Sequence, residues 1–169
     1  MAPQNGLGEV QIASAFTMLD EDSKSSIAKT AILNVDDSSW QKISSMTKAK
    51  IVTYGIRAKA DVQGSSVEAL EWGSRFKVSF SNGEAIIKLG VPGEFNVYNA
   101  LAAVSASLSL GVKFDDVVSG IESWKGADGR LELVDFGQPF RVVIDYAHEP
   151  EALHHVLDLL RGSTLGRLI

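Results

Sequence analysis

The sequence predicts a mixed α/β fold, and three observations point to it. Between residues 30 and 54, two short aliphatic runs flank a stretch with apolar side chains three apart, the pattern of a strand–helix–strand crossover. From Val62 to Leu89 the pattern changes period, and turn residues separate three runs that read as an antiparallel meander. Phe95 to Leu110 is Ala-rich and carries apolar residues every three or four positions, a spacing that only a helix gathers onto one face.

Taken in order, Met1 to Gly8 bears Pro, Gly and Asn without periodicity and reads as a loose leader, within a leader or unmatched segment of residues 1–15. Val10, Ala13, Phe16, Thr17 and Leu19 make a short helical pattern, followed by a polar turn at Asp20 to Lys24. Thr30 to Val35 has the aliphatic content of a buried parallel strand. Asp36 or Asp37 then offers an N-cap for a helix carrying Trp40, Ile43 and Met46. Lys50 to Tyr54 is the next strand, ended by Gly55. Val62 to Glu71, Arg75 to Phe80 and Glu84 to Leu89 form the meander. Its second turn, Ser81-Asn82-Gly83, is expected to be type I′, because Asn and Gly tolerate positive φ.

The Phe95 to Leu110 helix is expected to lay Tyr98, Leu101 and Leu108 on the sheet and to stop at Gly111. Phe114 to Trp124 is a second helix, capped by Asp115 or Asp116. Leu131 to Phe136 and Phe140 to Ile144 read as strands around a Gly137-Gln138 turn. Pro150 to Arg161 is a helix with proline in its first turn, and Arg167 to Ile169 has the character of a strand beginning.

Composition narrows the function classes. A formal charge of −5 over 169 residues gives no electrostatic reason to expect nucleic acid, whose binding needs a clustered basic face. The chain has no cysteine, which excludes disulfides and thiolate chemistry and fits the cytoplasm. Apolar runs end well short of the about 20 residues a membrane span needs, and the first residues carry no secretory pattern.

A few polar residues stand where chemistry is served. Asn96 and Asn99, three apart on the Ala-rich helix, share a face and offer both donors and acceptors to a base edge; one of them could instead be an N-cap. Arg130 follows Gly129 and precedes a strand, free to grip phosphate or to pair with Glu132. Asp145 closes Val142-Val143-Ile144, at the strand end where open α/β sheets bind ligands, or it is a helix N-cap. His154 and His155 are adjacent, point to different helix faces and cannot chelate together, so no metal-ligating role is assigned. No residue is assigned a catalytic role either.

Gly93-Glu-Phe-Asn-Val-Tyr-Asn-Ala-Leu-Ala-Ala103, Gly129-Arg-Leu-Glu132 and Asp145-Tyr-Ala-His148, in this order and spacing, resemble the ATP-dependent Mur ligases of peptidoglycan synthesis. The likeness is greatest to the branch adding the third residue to UDP-N-acetylmuramoyl-L-alanyl-D-glutamate. It implies that residues 16–128 are the C-terminal half of the central ATP-binding domain and that 129–169 begin a Rossmann-like C-terminal domain. It further implies a nucleotide site of Asn96, Asn99, Arg130, Asp145 and His148, with Asn99 nearest the base, Asp145 at the ribose, Arg130 at the phosphates and His148 beside the β-phosphate. ATP and Mg²⁺ are the cofactors of the intact enzymes. A UDP-N-acetylmuramoyl dipeptide and an amino acid are the partners, joined through an acyl phosphate. The other branches of the same superfamily include folylpolyglutamate and cyanophycin synthetases, and a non-catalytic binding module is the alternative outside catalysis.

Two positions depart from the family pattern: Glu149 stands where Thr is usual, and Glu94 where Arg is common. A carboxylate repels phosphate where a hydroxyl would donate to it. The 169 residues contain no Gly-x-x-x-x-Gly-Lys-[Ser/Thr] phosphate loop. By the resemblance, the chain corresponds to an internal fragment covering about a third of a family enzyme.

Overall fold

Alternation of inward aliphatic and outward polar residues builds the sheet that positions everything else. The computed structural model describes residues 29–169. Its strands are β1 (Thr30–Asn34), β2 (Lys50–Gly55), β3 (Val62–Ala69), β4 (Ser74–Phe80), β5 (Gly83–Leu89), β6 (Glu132–Val134) and β7 (Val142–Ile144). The helices are α1 (Trp40–Met46), α2 (Glu94–Ser109), α3 (Phe114–Ser123) and α4 (Pro150–Gly162). Strands β1 to β5 form one sheet in sequence order. β1 and β2 are parallel along their length, β2 meets β3 in parallel only at Tyr54–Val62 and Gly55–Gln63, and β3, β4 and β5 are antiparallel. β6 and β7 form a separate antiparallel pair. The expected mixed α/β class, parallel unit and meander are all present.

The core lies between this sheet and α2. Phe76, Val78, Ile87 and Leu89 point inward from β4 and β5, while Arg75, Glu84, Ile86 and Lys88 point out. α2 answers with Val97, Ala100, Leu101 and Val104, the i, i+3, i+4, i+7 stripe of a core-facing helix. Leu101 is wholly buried, and Leu108 and Tyr54 pack at the margin. Close approach is possible because β3 carries Gly64, where an added Cβ would lie 2.7 Å from Leu101 Cδ1. Each such aliphatic side chain contributes about 1.5–3 kcal/mol by leaving water. α2 ends as expected: Gly111 has φ +82°, and the Gly111 and Val112 N–H groups donate to the Leu108 and Ser107 carbonyls.

The structure corrects several expectations. The β4–β5 hairpin forms with Ser81 and Asn82 between the paired residues Phe80 and Gly83, but neither central residue nor Gly83 has positive φ, so the turn is not type I′. Glycine is needed there for space: a Cβ on Gly83 would meet Phe80 at 3.2 Å and Phe114 at 3.5 Å, and those two rings pack with centroids 4.8 Å apart. The N-cap of α1 is Ser39, not Asp36 or Asp37; Asp37 Oδ1 accepts the Ser39 N–H instead. Asp115 and Asp116 lie inside the first turn of α3, after the N-cap Lys113, where they complement the helix dipole without capping. Residues 167–169 are not a strand, because no strand among the described residues pairs with them; Ile169 is fully exposed. The helical pattern from Val10 to Leu19 and the turn after it lie outside the described residues.

After α3 the character changes. β6 and β7 are three residues each, and α4 has no buried residue. A cavity of about 1050 Å³ opens beside this hairpin, lined by Leu133, Phe140, Val143, Leu160, Leu165 and Ile169 among others.

Candidate nucleotide site

The two asparagines divide their work. Gly93, with φ +100°, is the N-cap of α2, so neither asparagine caps the helix. Asn96 is buried; its Nδ2 donates to the Pro92 carbonyl at 2.8 Å and its Oδ1 accepts from Asn99 Nδ2 at 3.2 Å. It braces the loop between β5 and α2. Asn99 is exposed and keeps its Oδ1 and one N–H unclaimed among the described residues. Of the pair, Asn99 is the one able to present an amide to a base.

Arg130, Asp145 and His148 come together in a second cluster. The Asp145 carboxylate reaches back across the chain, accepting the Leu131 N–H at 2.9 Å through Oδ2 and the Ala147 N–H at 2.7 Å through Oδ1. The Tyr146 N–H donates to the Gly129 carbonyl at 2.8 Å, and Glu132 Oε2 accepts the Gly129 N–H at 2.8 Å. Glu132 is thereby turned to the backbone, and no ion pair joins it to Arg130 among the described residues. Asp145 is likewise no helix cap; that position at α4 belongs to Glu149. Leu131 pays for this stitching with φ +48°, a conformation costing a non-glycine residue about 1–2 kcal/mol, while its side chain is buried.

Tyr146 organises the cluster, and sequence reading had assigned it no role. The Arg130 guanidinium sits over its ring at 5.3 Å, and the His148 ring meets its edge at 5.0 Å. His148 Nδ1 lies 2.9 Å from the Tyr146 carbonyl, and Glu149 stands exposed at 3.9 Å from His148 Nε2. The aromatic between Arg130 and His148 was the signal available for this. Each Asp145 oxygen accepts one bond within the chain and retains a lone pair, so the carboxylate can still receive hydroxyls. His154 pairs with Asp158 at 2.8 Å on α4, and His155 is not part of the cluster.

Among the described residues no hydrogen bond or ring contact joins the asparagine pair to the Arg130–Asp145–His148 cluster, but the chain segments carrying them are neighbours. A Cβ on Gly126 would meet Val91 at 3.1 Å, and one on Gly90 would meet the Trp124 carbonyl at 3.1 Å. The segment leading from α3 to Gly129 therefore lies against the loop that Asn96 braces.

A third cluster was missed in the sequence. Asp36 accepts the backbone N–H groups of Ile56, Arg57 and Ala58 at 2.7, 3.0 and 2.7 Å, and the Tyr98 hydroxyl at 2.9 Å. Arg57 donates to the Tyr98 oxygen and to Glu94. Burial works against ionisation of Asp36, but the backbone donors and Tyr98 outweigh it and hold the carboxyl at about 2. Burial, with Asp36 alongside, pushes the Tyr98 hydroxyl up to about 12. The partners lie 20 to 62 positions away, beyond any local pattern. Among the described residues, no three Asp, Glu or His side chains are grouped to hold a metal ion.

Residues 10–107 match the model of the Mur ligase middle domain. A UDP-N-acetylmuramoyl-L-alanyl-D-glutamate–2,6-diaminopimelate ligase from Bacillus velezensis is 41% identical over 140 residues, which are 83% of this chain and 29% of that protein. The enzyme of the same name from Listeria monocytogenes is 37% identical over 86% of this chain and 30% of its own length. The structure of UDP-N-acetylmuramoylalanyl-D-glutamyl-2,6-diaminopimelate–D-alanyl-D-alanyl ligase from Acinetobacter baumannii superposes with a TM-score of 0.78 at 29% identity, over 89% of this chain and 33% of that one. The chain thus spans about 30% of the length of the curated relatives it matches.

Proposed function

The chain belongs to the Mur ligase family, and on that premise we propose that it carries the base, ribose and phosphate contacts of an ATP-dependent ligase adding the third residue to UDP-N-acetylmuramoyl-L-alanyl-D-glutamate. ATP supplies the phosphoryl group that turns the muramoyl-peptide carboxylate into an acyl phosphate, which an amine then attacks; in the relatives named above that amine is 2,6-diaminopimelate. In this reading residues 16–128 belong to the central domain and residues 129–169 to the start of the C-terminal domain. No helix among the described residues is long and apolar enough to cross a membrane.

The observation that carries the reading is the stitching of the Gly129–Leu131 turn to Asp145 and Tyr146. It holds an exposed guanidinium, a carboxylate with spare lone pairs and an imidazole on one small surface. In the proposed complex Asn99 reads the base, Asn96 holds Asn99, Asp145 accepts the ribose hydroxyls, Arg130 takes the phosphates and His148 lies beside the β-phosphate. The donor set fits a nucleotide, and the described residues include no group of three Asp, Glu or His side chains that would hold a metal ion by themselves. Glu149 stands exposed beside His148, so its carboxylate weakens phosphate binding at this edge of the proposed site.

Charge-assisted bonds of about 1.5–3 kcal/mol each, less the cost of ordering, correspond to millimolar to high-micromolar ATP. Calorimetric titration of the chain with ATP is expected to find such an affinity, and Arg130→Ala to weaken it at least about fivefold, which is about 1 kcal/mol. An unchanged affinity in Arg130→Ala would overturn the assignment. The 169 residues alone are expected to show no amine-dependent phosphate release, because no phosphate loop is present to stabilise transition-state charge.

A further inference from the structure

We propose that Asp36 is a positioning residue for nucleotide recognition, acting through the Tyr98 hydroxyl to fix the rotation of α2 that turns Asn99 outward; the inference rests on the nucleotide reading above. Asp36 follows β1, and Ile56 to Ala58 follow β2, so the carboxylate first ties together the ends of two parallel strands. Three backbone donors would suffice for that task. The fourth donor, Tyr98, comes from α2 and is the only bond by which Asp36 reaches the helix among the described residues.

Tyr98 and Asn99 are consecutive, about 100° apart around the helix axis. A helix pinned at Tyr98 therefore has its direction at Asn99 pinned as well. The aliphatic stripe seats α2 on the sheet but is non-directional and permits small rolls; a hydrogen bond from a ring hydroxyl does not. Arg57 closes the other side of the clamp, donating to the Tyr98 oxygen while its second nitrogen donates to Glu94 in the first turn of α2. Glu94, the departure from the family pattern, thus serves as the partner of Arg57. The depressed Asp36 and raised Tyr98 values keep the carboxylate an acceptor and the hydroxyl a donor throughout the neutral range.

The test uses the full isotope-labelled chain, with ATP as the probe, in Asp36→Asn, Tyr98→Phe, the double variant and Asn99→Ala. Each of the first two is expected to weaken ATP three- to tenfold and to shift the Asn99 side-chain amide resonances before nucleotide is added. The double variant is expected to bind no more weakly than the poorer single, because both remove one bond. A change in stability alone would move neither readout in the folded chain. Tyr98→Phe leaves the three backbone bonds of Asp36 intact and decides the matter if Asp36→Asn does not fold. Unchanged affinity and unchanged Asn99 resonances in Tyr98→Phe, alongside weakened binding in Asn99→Ala, would overturn the positioning role and leave the nucleotide reading standing. Unchanged affinity in Asn99→Ala would instead overturn that reading, and the role of Asp36 with it.

Discussion

Residues 30–123 and residues 129–169 are held together by different physics. In the first region Phe76, Val78, Ile87, Val97, Leu101 and Val104 are wholly buried between sheet and helix. In the second only Leu131 is a buried hydrophobic; Phe136, Phe140, Ile144, Leu153, Leu157 and Leu165 are all exposed. Order there comes from hydrogen bonds between Gly129–Leu131 and Asp145–Tyr146. A packed core is cooperative and feels the loss of even one methylene, whereas a polar stitch of a few bonds opens locally. Both regions supply residues to the proposed site, so it joins a rigid half to a compliant one.

The largest effect should separate the regions by packing. Leu101→Ala removes a wholly buried side chain seated on Gly64 and is expected to cost about 2–5 kcal/mol in urea unfolding. Leu157→Ala, at an exposed position on α4, is expected to fall within about 0.5 kcal/mol of the parent. Equal losses at the two sites would erase the contrast.

The legibility of the sequence follows the same division. Strands β4 and β5 and helix α2 were readable because their periodicity is local and the core enforces it on every residue. The two β-strands after Gly129 were expected to be longer than they are. Asp135 and Gln138 side chains accept the Gly137 and Phe136 N–H groups and close the turn early, and Leu131 takes a left-handed conformation no strand allows. Arg167 to Ile169 had strand composition but needs a partner strand to become one. Asp36 looked like a helix cap because sequence displays only its neighbours, while its partners come from β2's end and α2. Of the candidate residues, Arg130, Asp145 and His148 could be named in advance, but not the bonds through Tyr146 and Leu131 that assemble them.

Asp145→Ala sharpens the contrast from the compliant side. It strips the acceptor from the Leu131 N–H, a loss of about 1–3 kcal/mol confined to residues 129–147. Hydrogen exchange is expected to quicken at Leu131 and Ala147 while the amides of β4 and β5 keep the parent's protection. Loss of protection throughout the sheet would mean that the two regions unfold as one.

Acid provides a smaller effect on the rigid side. The folded-state value of Asp36, about 2, lies below its ordinary 3.8, so its contribution to stability is present above about 4 and is lost as pH falls toward 2. Discounted for partial exposure, the effect is about 1–2 kcal/mol. Comparing urea midpoints of the parent and Asp36→Asn between pH 5 and pH 2 should show the gap narrowing on acidification. A gap that stays constant would remove the carboxylate as its source.

The nucleotide site itself is tested most directly by following backbone and side-chain amides residue by residue as ATP is added to the labelled chain. The account predicts that Asn99, the Arg130–Leu131 pair and the Asp145–Ala147 segment shift together, along one binding curve with a single millimolar to high-micromolar affinity. Shifts confined to one region, or separate curves for α2 and residues 129–147, would contradict it.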